Sequence, residues 1–383
     1  MSATPQNSTR IYFDYNATSP LADGVAAAIG DALCEPGNPS SLHREGRRAQ
    51  SLVDAARETV AATLEAGALD LIFTSGGTEA NHLGLLGLAR VAKNDGPVLI
   101  APTVHPSLWA AGQRAGAEGL GVATLAVGAD GTLDMAAAEE IIATAKPRVL
   151  ALSLANHELG CVEDVEAVAT WCRAAGCLVF CDAIQGLGRL ELGSLVKVVD
   201  GISISAHKIG GPKGIGALWL RPGPAVESLI GGGGQESGRR PGTQAVALIA
   251  GFAAACEGVA DRLADAPRQD ALRGTLTDGL IGLGAVMNSS PRGLCNTVNA
   301  RFPGVPGELL VTGLDLAGIA ASTGAACSSG TVEPSSVLLG IGLTADEAME
   351  ALRLSIGPGT TAAEVQSLLD ILPPILERAR RFG

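Results

Sequence analysis

The sequence has few aromatic residues and few basic ones. Only 3% of its 383 residues are Phe, Trp or Tyr, and 27 Lys and Arg stand against 39 Asp and Glu. A net charge of −12 disfavours contact with a nucleic-acid backbone. The scarcity of aromatic side chains also argues against a surface on which bases stack. We therefore expect no direct nucleic-acid partner.

The sequence also lacks long apolar runs and a dense set of cysteines. No apolar run reaches the length of a membrane span, and the first ten residues, MSATPQNSTR, lack the basic and apolar regions of a secretory signal. Eight cysteines are too few for a disulfide framework in a chain of this length, and Cys172, Cys177 and Cys181 do not have zinc-site spacing. These absences predict a cytoplasmic protein with reduced thiols, no membrane contact and no metal.

Apolar residues make up 47% of the chain, which is enough for a large core. Short apolar runs alternate with helical stretches such as Met135–Ala145 and Val165–Ala175. The runs that we predict as strands are 71–74, 98–101, 122–127, 149–154, 178–181, 201–205 and 216–220. This alternation predicts an α/β fold with a mainly parallel central sheet flanked by helices.

After residue 220 the alternation becomes irregular. A helix over about 261–282, strands near 297–302 and at 351–355, and a last helix from about 362 indicate a smaller α+β domain. We predict a large domain over 15–260 that holds the site. The small domain then combines 1–14 with 261–383.

The stretch SISAHKIGGPKGIG, at 203–216, places Lys208 directly after a buried strand. A buried lysine loses its proton easily, and the neutral amine condenses with a carbonyl. Ser205 and His207 beside it can donate to an anion. The stretch suits a lysine that forms a Schiff base with pyridoxal phosphate, and equally a solvated lysine in a turn rich in Gly and Pro.

Polar residues follow other predicted strands at the same relative place. Ligands of parallel sheets bind at the carboxyl ends of the strands, so we expect these residues to share one site. The loop SGGTEAN, at 75–81, includes Gly77 and leads into a helix that runs to about Val91, so it can offer backbone N–H groups to a phosphate. The other residues in this position are Thr78, His105, Asn156 and Asp182.

These residue types match the needs of pyridoxal phosphate. The cofactor needs a carboxylate at its pyridine nitrogen, donors for its phosphate, a flat group over its ring and a partner for its phenolic oxygen. Each residue also has an ordinary alternative: Asp182 can cap a helix, His105 can be a core histidine, and Asn156 can belong to a turn. Asp182 is the candidate for the pyridine nitrogen, and Thr78, Ser205 and His207 are the candidates for the phosphate. His105 is the candidate for the flat group over the ring, and Gln185 or Asn156 for the partner of the phenolic oxygen.

A series of motifs in fixed order carries a family resemblance over nearly the whole chain. The motifs are DYNAT at 14–18, GNPSS at 37–41, TSGGTEAN at 74–81, His105-Pro106, DAIQ at 182–185, SAHKIGGPKG at 205–214, GGGQE at 232–236, Gly242-Thr243, CSSG at 327–330 and RLS at 353–355. In these motifs the chain resembles the cysteine desulfurases of the NifS and IscS type. That family belongs to the class-V aminotransferases, which are pyridoxal-phosphate enzymes of fold type I.

The resemblance implies a role for each matching residue. Lys208 would carry the cofactor, and His105 would stack on it and move protons. Cys327 would attack the sulfur of L-cysteine, so that L-alanine leaves and a persulfide remains for iron–sulfur clusters or other sulfur acceptors. The resemblance further implies cofactor contacts from Asp182, Gln185, Asn156, Gly77, Thr78, Ser205 and His207, a contact from Thr243 of a second subunit in a homodimer, and substrate contacts from Arg353 and Asn38.

The chain departs from the family pattern at four positions, Val104, His157, Leu159 and His82. None removes a catalytic group, and His157 can either add a proton donor or only pack. Alternative functions are a related lyase acting on selenocysteine or cysteine sulfinate, a non-catalytic assembly scaffold, and a nucleotide-binding module. Cys327 argues against the first, the intact site residues against the second, and the lack of a Walker lysine against the third.

Overall fold

A computed structural model describes residues 10–223, 226–324 and 333–381. The expectations for Cys327 and its CSSG motif therefore lie outside the described residues. Among the residues that are described, no helix is long and apolar enough to cross a membrane.

The strands form one sheet of seven, one of three and one of two. In chain order they are β1 Ile11–Tyr12, β2 Leu71–Thr74, β3 Val98–Ile100, β4 Val122–Thr124, β5 Val149–Ser153, β6 Leu178–Asp182, β7 Gly201–Ser205, β8 Gly216–Leu220, β9 Val286–Met287, β10 Thr297–Arg301, β11 Ile319–Ala320 and β12 Ala351–Ser355.

Helices precede or follow most of these strands. They are α1 Val25–Leu33, α2 Arg44–Ala62, α3 Gly77–Val91, α4 Pro106–Ala117, α5 Met135–Ala145, α6 Val165–Ala175, α7 Leu195–Val198, α8 Val246–Glu257, α9 Val259–Ala264, α10 Ala266–Gly282, α11 Gly307–Leu316, α12 Ser336–Gly340, α13 Ala345–Met349 and α14 Ala362–Ala379.

The seven-stranded sheet has the order β2-β8-β7-β6-β5-β3-β4. The pairs from β7 to β4 are parallel, and β8 is antiparallel to both of its neighbours. The predicted mainly parallel sheet is therefore confirmed. Because β8 reverses direction, the connection over 206–215 is short and lies at the carboxyl end of β7, which places Lys208 at that edge.

Within the described ranges, the two largest of three groups of buried apolar side chains lie on different parts of the chain, and the third joins Leu159 to Val337 and Leu338. The larger surrounds the seven-stranded sheet. The smaller joins α10, α11 and α14 to β10 and β12, and it includes Phe13 from the N-terminal segment. The division into 15–260 and 1–14 with 261–383 stays a prediction, which the place of Phe13 in the second core supports.

The helix predicted over about 261–282 is two helices. The first, α9, ends at Ala264, and α10 starts at Ala266 with a proline in its first turn. Pro267 has no N–H to donate to the preceding turn, and its ring clashes with the carbonyl four residues earlier, so a helix restarts there more easily than it continues. The predicted strand at 122–127 is also shorter, since β4 ends at Thr124.

At Gly84, helix α3 packs closely against the central sheet. A Cβ at this position would lie 2.1 Å from a ring carbon of Phe180. We expect Gly84→Ala to lower the free energy of unfolding by about 1–3 kcal/mol through overpacking. The matched control is Gly274→Ala in α10, where a Cβ meets nothing within 4 Å and should stabilise the helix by about 0.5–1 kcal/mol. Urea unfolding would measure both, and equal effects would contradict the packing argument.

Candidate active site

A cavity of about 250 Å³ lies at the carboxyl edge of the central sheet. Segments that follow five strands line it, as the strand-end argument predicted. The lining residues are Gly77 and Thr78 after β2, His105 and Ser107 after β3, Ser153, Ala155 and His157 at the end of β5, Asp182, Ile184 and Gln185 at the end of β6, and Ser205 and His207 after β7.

One end of this cavity is suited to an anion. Helix α3 begins at Gly77, so its first N–H groups and its positive dipole end face this region. The Oγ atom of Ser205 is buried and has no hydrogen-bond partner among the described residues. Gly76 has a φ of 152°, which side chains rarely adopt, and a Cβ on Gly216 would lie 2.8 Å from its backbone. A buried hydroxyl without a partner fits the phosphate of the predicted cofactor.

Asp182 provides a carboxylate on the floor of the cavity. Its Oδ2 accepts a bond from Nδ2 of Asn81 at 2.9 Å, and its Oδ1 accepts from the N–H of Ile184 at 3.1 Å. Burial raises the pKa of this carboxyl above its ordinary value, although these bonds oppose that rise. The charges of His157 and Lys208 act in the same direction as these bonds, and a protonated pyridine nitrogen beside Asp182 would add to them.

Asn81 is a site residue to which the sequence analysis gave no role. It is fully buried, and its Nδ2 also donates to Oγ of Ser107 at 3.0 Å, while its Oδ1 accepts from Ser203 at 2.5 Å. Its place in the TSGGTEAN motif was the available signal. A buried polar side chain such as that of Asn81 needs hydrogen-bond partners inside the protein. A polar residue at a buried position of a motif is therefore a candidate site residue.

His105 caps the N-terminus of α4 and lines the cavity. Its Nδ1 accepts from the N–H of Ser107 at 3.1 Å and lies 2.7 Å from the hydroxyl of the same residue. Burial, helped by the charges of His157, Lys208 and His207, lowers the pKa of His105 to about 3. The ring is therefore neutral at pH 7, as a group that stacks on an electron-poor ring should be.

The two residues predicted for the phenolic oxygen differ in position. Gln185 lines the cavity, and its Nε2 donates to the backbone oxygen of Asn16 at 3.0 Å. Asn156 is not among the lining residues: its Oδ1 accepts from the N–H groups of Glu158 and Leu159, both at 2.8 Å. These bonds are those of a turn residue, the alternative that the sequence left open. The contact from Gln185 stays a prediction that its position supports.

The amine of Lys208 is held just outside the first cavity. Its Nζ donates to the backbone oxygens of Asn16 at 2.6 Å and of Ala17 at 3.0 Å. Burial, then the charges of Arg189 and Arg353, lower the pKa of this amine to about 7. A large fraction of the amine is therefore uncharged near neutral pH, which is the form that attacks an aldehyde.

A second cavity of about 470 Å³ adjoins the first, and His105 and His157 line both. Arg353 lines the second cavity, where its guanidinium contacts Oδ1 of Asp14 at 2.8 Å and the backbone oxygen of His157 at 3.2 Å. Its buried Nε has no partner among the described residues. Gly324 and Glu333, the described residues on either side of 325–332, also line this cavity.

Two further predicted residues, Asn38 and Thr243, are exposed and lie away from both cavities. Asn38 is exposed, and its Oδ1 accepts from the N–H of Ser40 at 2.9 Å. Thr243 is exposed as well, and neither residue is among those that line the two cavities. Their roles stay predictions, and for Thr243 the predicted contact is to a second subunit.

Two serines on one strand allow a test of the anion site. We expect Ser205→Ala to weaken binding of pyridoxal phosphate about tenfold, because one hydrogen bond to a charged group is lost. Unfolding should be little changed, since the Ser205 hydroxyl has no protein partner among the described residues. Ser203→Ala, the matched control, loses the bond to Asn81 and should lower the free energy of unfolding by about 1–3 kcal/mol. Absorbance titration and urea unfolding measure the two effects. Unchanged affinity in Ser205→Ala would contradict the assignment.

The lowered pKa of Lys208 gives a second test. Covalent capture of pyridoxal phosphate, trapped by borohydride and quantified by mass spectrometry, should become faster as pH rises through about 7, where the amine loses its proton. Arg189→Gln removes a neighbouring positive charge and should move this midpoint upward by about 1 pH unit. Arg173→Gln, in α6, is the control. An unchanged midpoint in Arg189→Gln would contradict the contribution of Arg189 and leave burial and the charge of Arg353 as the causes.

Comparison with known proteins agrees with this geometry. The aminotransferase class-V family model matches residues 11–368. The cysteine desulfurase IscS 1 of Archaeoglobus fulgidus is 37% identical, over 97% of this chain and 98% of its own. A solved NifS-like protein superposes with a TM-score of 0.89 and 31% identity, covering 97% of this chain and all of the other.

A third relative is the protein SspA, solved in complex with cysteine. It has a TM-score of 0.79 and 30% identity, and the alignment covers 92% of this chain and all of the other. These relatives share fold type I with this chain, and members of the family are dependent on pyridoxal phosphate. The chain belongs to the class-V aminotransferase family and, within it, to the cysteine desulfurases of the NifS and IscS type.

Proposed function

We propose that this cysteine desulfurase takes sulfur from L-cysteine, releases L-alanine and passes the sulfur on for iron–sulfur clusters or other thiolated products. The observation that carries the proposal is the pair of adjoining cavities. The first has an anion end and a buried carboxylate, and the second has an arginine that can bind a carboxylate. His105 and His157 line the boundary, so one small amino acid can reach both.

The residues of the first cavity are suited to hold pyridoxal phosphate, which when bound draws electrons away from the α-carbon of an amino acid. Thr78, Ser205 and His207 would hold the phosphate, together with the N-terminus of α3. Asp182 would hold the ring nitrogen. Lys208, held by backbone oxygens at the boundary of the site, can reach an aldehyde by rotation of its side chain and can accept a proton once its amine is neutral.

Arg353 would orient the substrate. A planar guanidinium binds a carboxylate with two parallel bonds, and the buried Nε without a described partner leaves part of that capacity unused. Asp14, bonded to the same guanidinium at 2.8 Å, would have to share it or move aside. The complex of the related SspA with cysteine supports L-cysteine as the substrate.

Cys327 would be the residue that receives the sulfur. Its assignment rests on the CSSG motif, and a thiolate there would attack the sulfur of bound L-cysteine. The carbon–sulfur bond of L-cysteine gives way to a carbon–hydrogen bond in L-alanine, while a sulfur–sulfur bond forms at Cys327. Atoms and electrons balance without an external oxidant. A selenocysteine or sulfinate lyase would not require this thiol.

We further propose a homodimer that works in the cytoplasm. Two large apolar side chains that are close in sequence to predicted site residues are exposed in the single chain. Leu42 is 90% exposed and closes the loop of Asn38, and Ile230 is 56% exposed and precedes the loop of Thr243. A second copy covering these surfaces would bury both side chains, and Thr243 would then contact the cavity of the partner and not that of its own chain.

The proposed function is tested by alanine release from L-cysteine in the presence of reductant. The wild type should turn over and be yellow with cofactor, whereas Cys327→Ser should stay yellow and make no alanine. Cys34→Ser, which removes an exposed free thiol, is the matched control and should behave as the wild type. If Cys327→Ser is as active as the wild type, Cys327 is not the nucleophile. If neither protein binds the cofactor, the assignment of Lys208 and the first cavity is wrong.

A further inference from the structure

Glu236 is a buried glutamate in the loop that leads to Thr243, and it has no part in the function proposed above. Its side chain is 1% exposed. Its φ of 49° and the φ of 57° at Ser237 both lie in the left-handed region, which residues other than glycine rarely adopt. Two such residues in a row indicate a backbone that is held in place by its surroundings.

Arg57 of helix α2 is the main partner of Glu236. Its Nη1 and Nη2 donate to the two carboxylate oxygens at 2.6 and 2.8 Å. The same pair covers the free edge of β2, an outer strand of the seven-stranded sheet. Glu236 accepts the N–H of Phe73 at 3.0 Å, and Arg57 donates to the backbone oxygen of Leu71 at 2.8 Å. Because β2 leads into the anion end of the first cavity, the pair attaches this loop to the strand that positions that end.

The residues on either side of Thr243 are bonded to Gln235 and Glu236. Oε1 of Gln235 accepts the N–H of Gly242 at 3.1 Å. Oε1 of Glu236 accepts from Nε2 of Gln244 at 2.8 Å. Thr243 itself is exposed. Two adjacent residues therefore hold the chain on both sides of Thr243 and leave its side chain at the surface.

A second ion pair attaches the same loop to the anion end. Nε of Arg240 donates to Oε1 of Glu79 at 2.9 Å, and Oε2 of Glu79 accepts the N–H of Ser75 at 2.6 Å. Glu79 lies in the first turn of α3, next to Thr78. The loop is therefore attached at two points, and contacts within one chain set its conformation before any second chain binds.

We propose that Gln235 and Glu236 are positioning residues, which hold Thr243 in the conformation that contacts the cofactor phosphate of a second subunit. A hydroxyl on a flexible loop would contribute less affinity, because ordering the loop on binding costs free energy. The inference rests on the proposed function for the homodimer and for the identity of the cofactor. The alternative is that Glu236 and Arg57 only cover the edge of β2, as exposed strand edges require in any case.

The two roles can be separated because the bonds beside Thr243 do not belong to the ion pair. The double variant Gln235→Ala/Gln244→Ala removes these bonds and keeps the buried ion pair. Glu236→Ala is less informative, because it would leave a buried guanidinium without its partner and destabilise the whole chain. The matched control is Gln366→Ala, which changes an exposed glutamine of α14.

The first measurement is the affinity of the full-length protein for pyridoxal phosphate, by absorbance titration. The double variant should bind about fivefold more weakly than the wild type, since its loop must be ordered on binding. Thr243→Ala should bind about tenfold more weakly, because a hydrogen bond to a charged group is lost. Adding the double change to Thr243→Ala should cause no further loss, because the two glutamines act only through Thr243. Gln366→Ala should bind as the wild type does.

A loss on adding the double change to Thr243→Ala as large as that in the wild type would overturn the proposal, because the glutamines would then act through the fold in general. So would unchanged affinity in the double variant or in Thr243→Ala. The second measurement is hydrogen exchange over 235–244 without cofactor, which should be faster in the double variant. Equal exchange would also overturn the proposal. A wild type that binds the cofactor and releases no alanine from L-cysteine would contradict the proposed function alone.

Discussion

The site depends on one buried residue, Asn16, more than on any of the groups predicted to do chemistry. Its backbone oxygen accepts bonds from both Lys208 and Gln185. Its side-chain amide donates to Thr297 at 2.8 Å and to the backbone oxygen of His157 at 3.1 Å. One asparagine therefore connects Lys208, the backbone of His157 and, through Thr297, the C-terminal part of the chain. A buried polar hub of this kind is stabilising only while all its partners are present, because each orphaned group would cost about 1–3 kcal/mol.

Burial drives the ionisable groups of the site toward their neutral forms. The pKa of Asp182 is raised, that of His207 is lowered to about 4 and that of Lys208 to about 7, with desolvation as the largest cause in each. Apart from the ion pair of Arg353 and Asp14 in the second cavity, the site therefore has few side chains that are fully charged at neutral pH. A ligand with an anionic phosphate and a cationic nitrogen would place charges beside these groups and so stabilise the charged forms that burial disfavours. The same surroundings that hold the amine ready for an aldehyde therefore also favour a cofactor with charge at both ends.

The sequence predicted the sheet and the edge at which the site lies, because strand ends in a parallel sheet must meet. Strands β2, β7 and β8 have the bounds that were expected, and so do α5 and α6. The reversed direction of β8 was not predicted, because the apolar run of a buried strand is the same whether the strand lies parallel or antiparallel to its neighbours. The turn role of Asn156 stayed undecided for a similar reason: an asparagine after a strand has the same sequence signature whether its amide faces the backbone or a ligand.

The residue that sequence reasoning could least have assigned is Asn81, because its partners are far away along the chain. Its amide nitrogen donates to Asp182 and to Ser107, and Ser107 in turn contacts His105. Its oxygen accepts from the hydroxyl of Ser203. Because a carboxylate can only accept, the nitrogen is the end of the amide that faces Asp182, and this determines the orientation of the amide. An aspartate at this position would place two carboxylates side by side. The amide is therefore what allows one side chain to position both the carboxylate predicted to hold the ring nitrogen and the histidine predicted to lie over the ring. The spacing of the two is fixed by hydrogen bonds within the protein before any ligand binds.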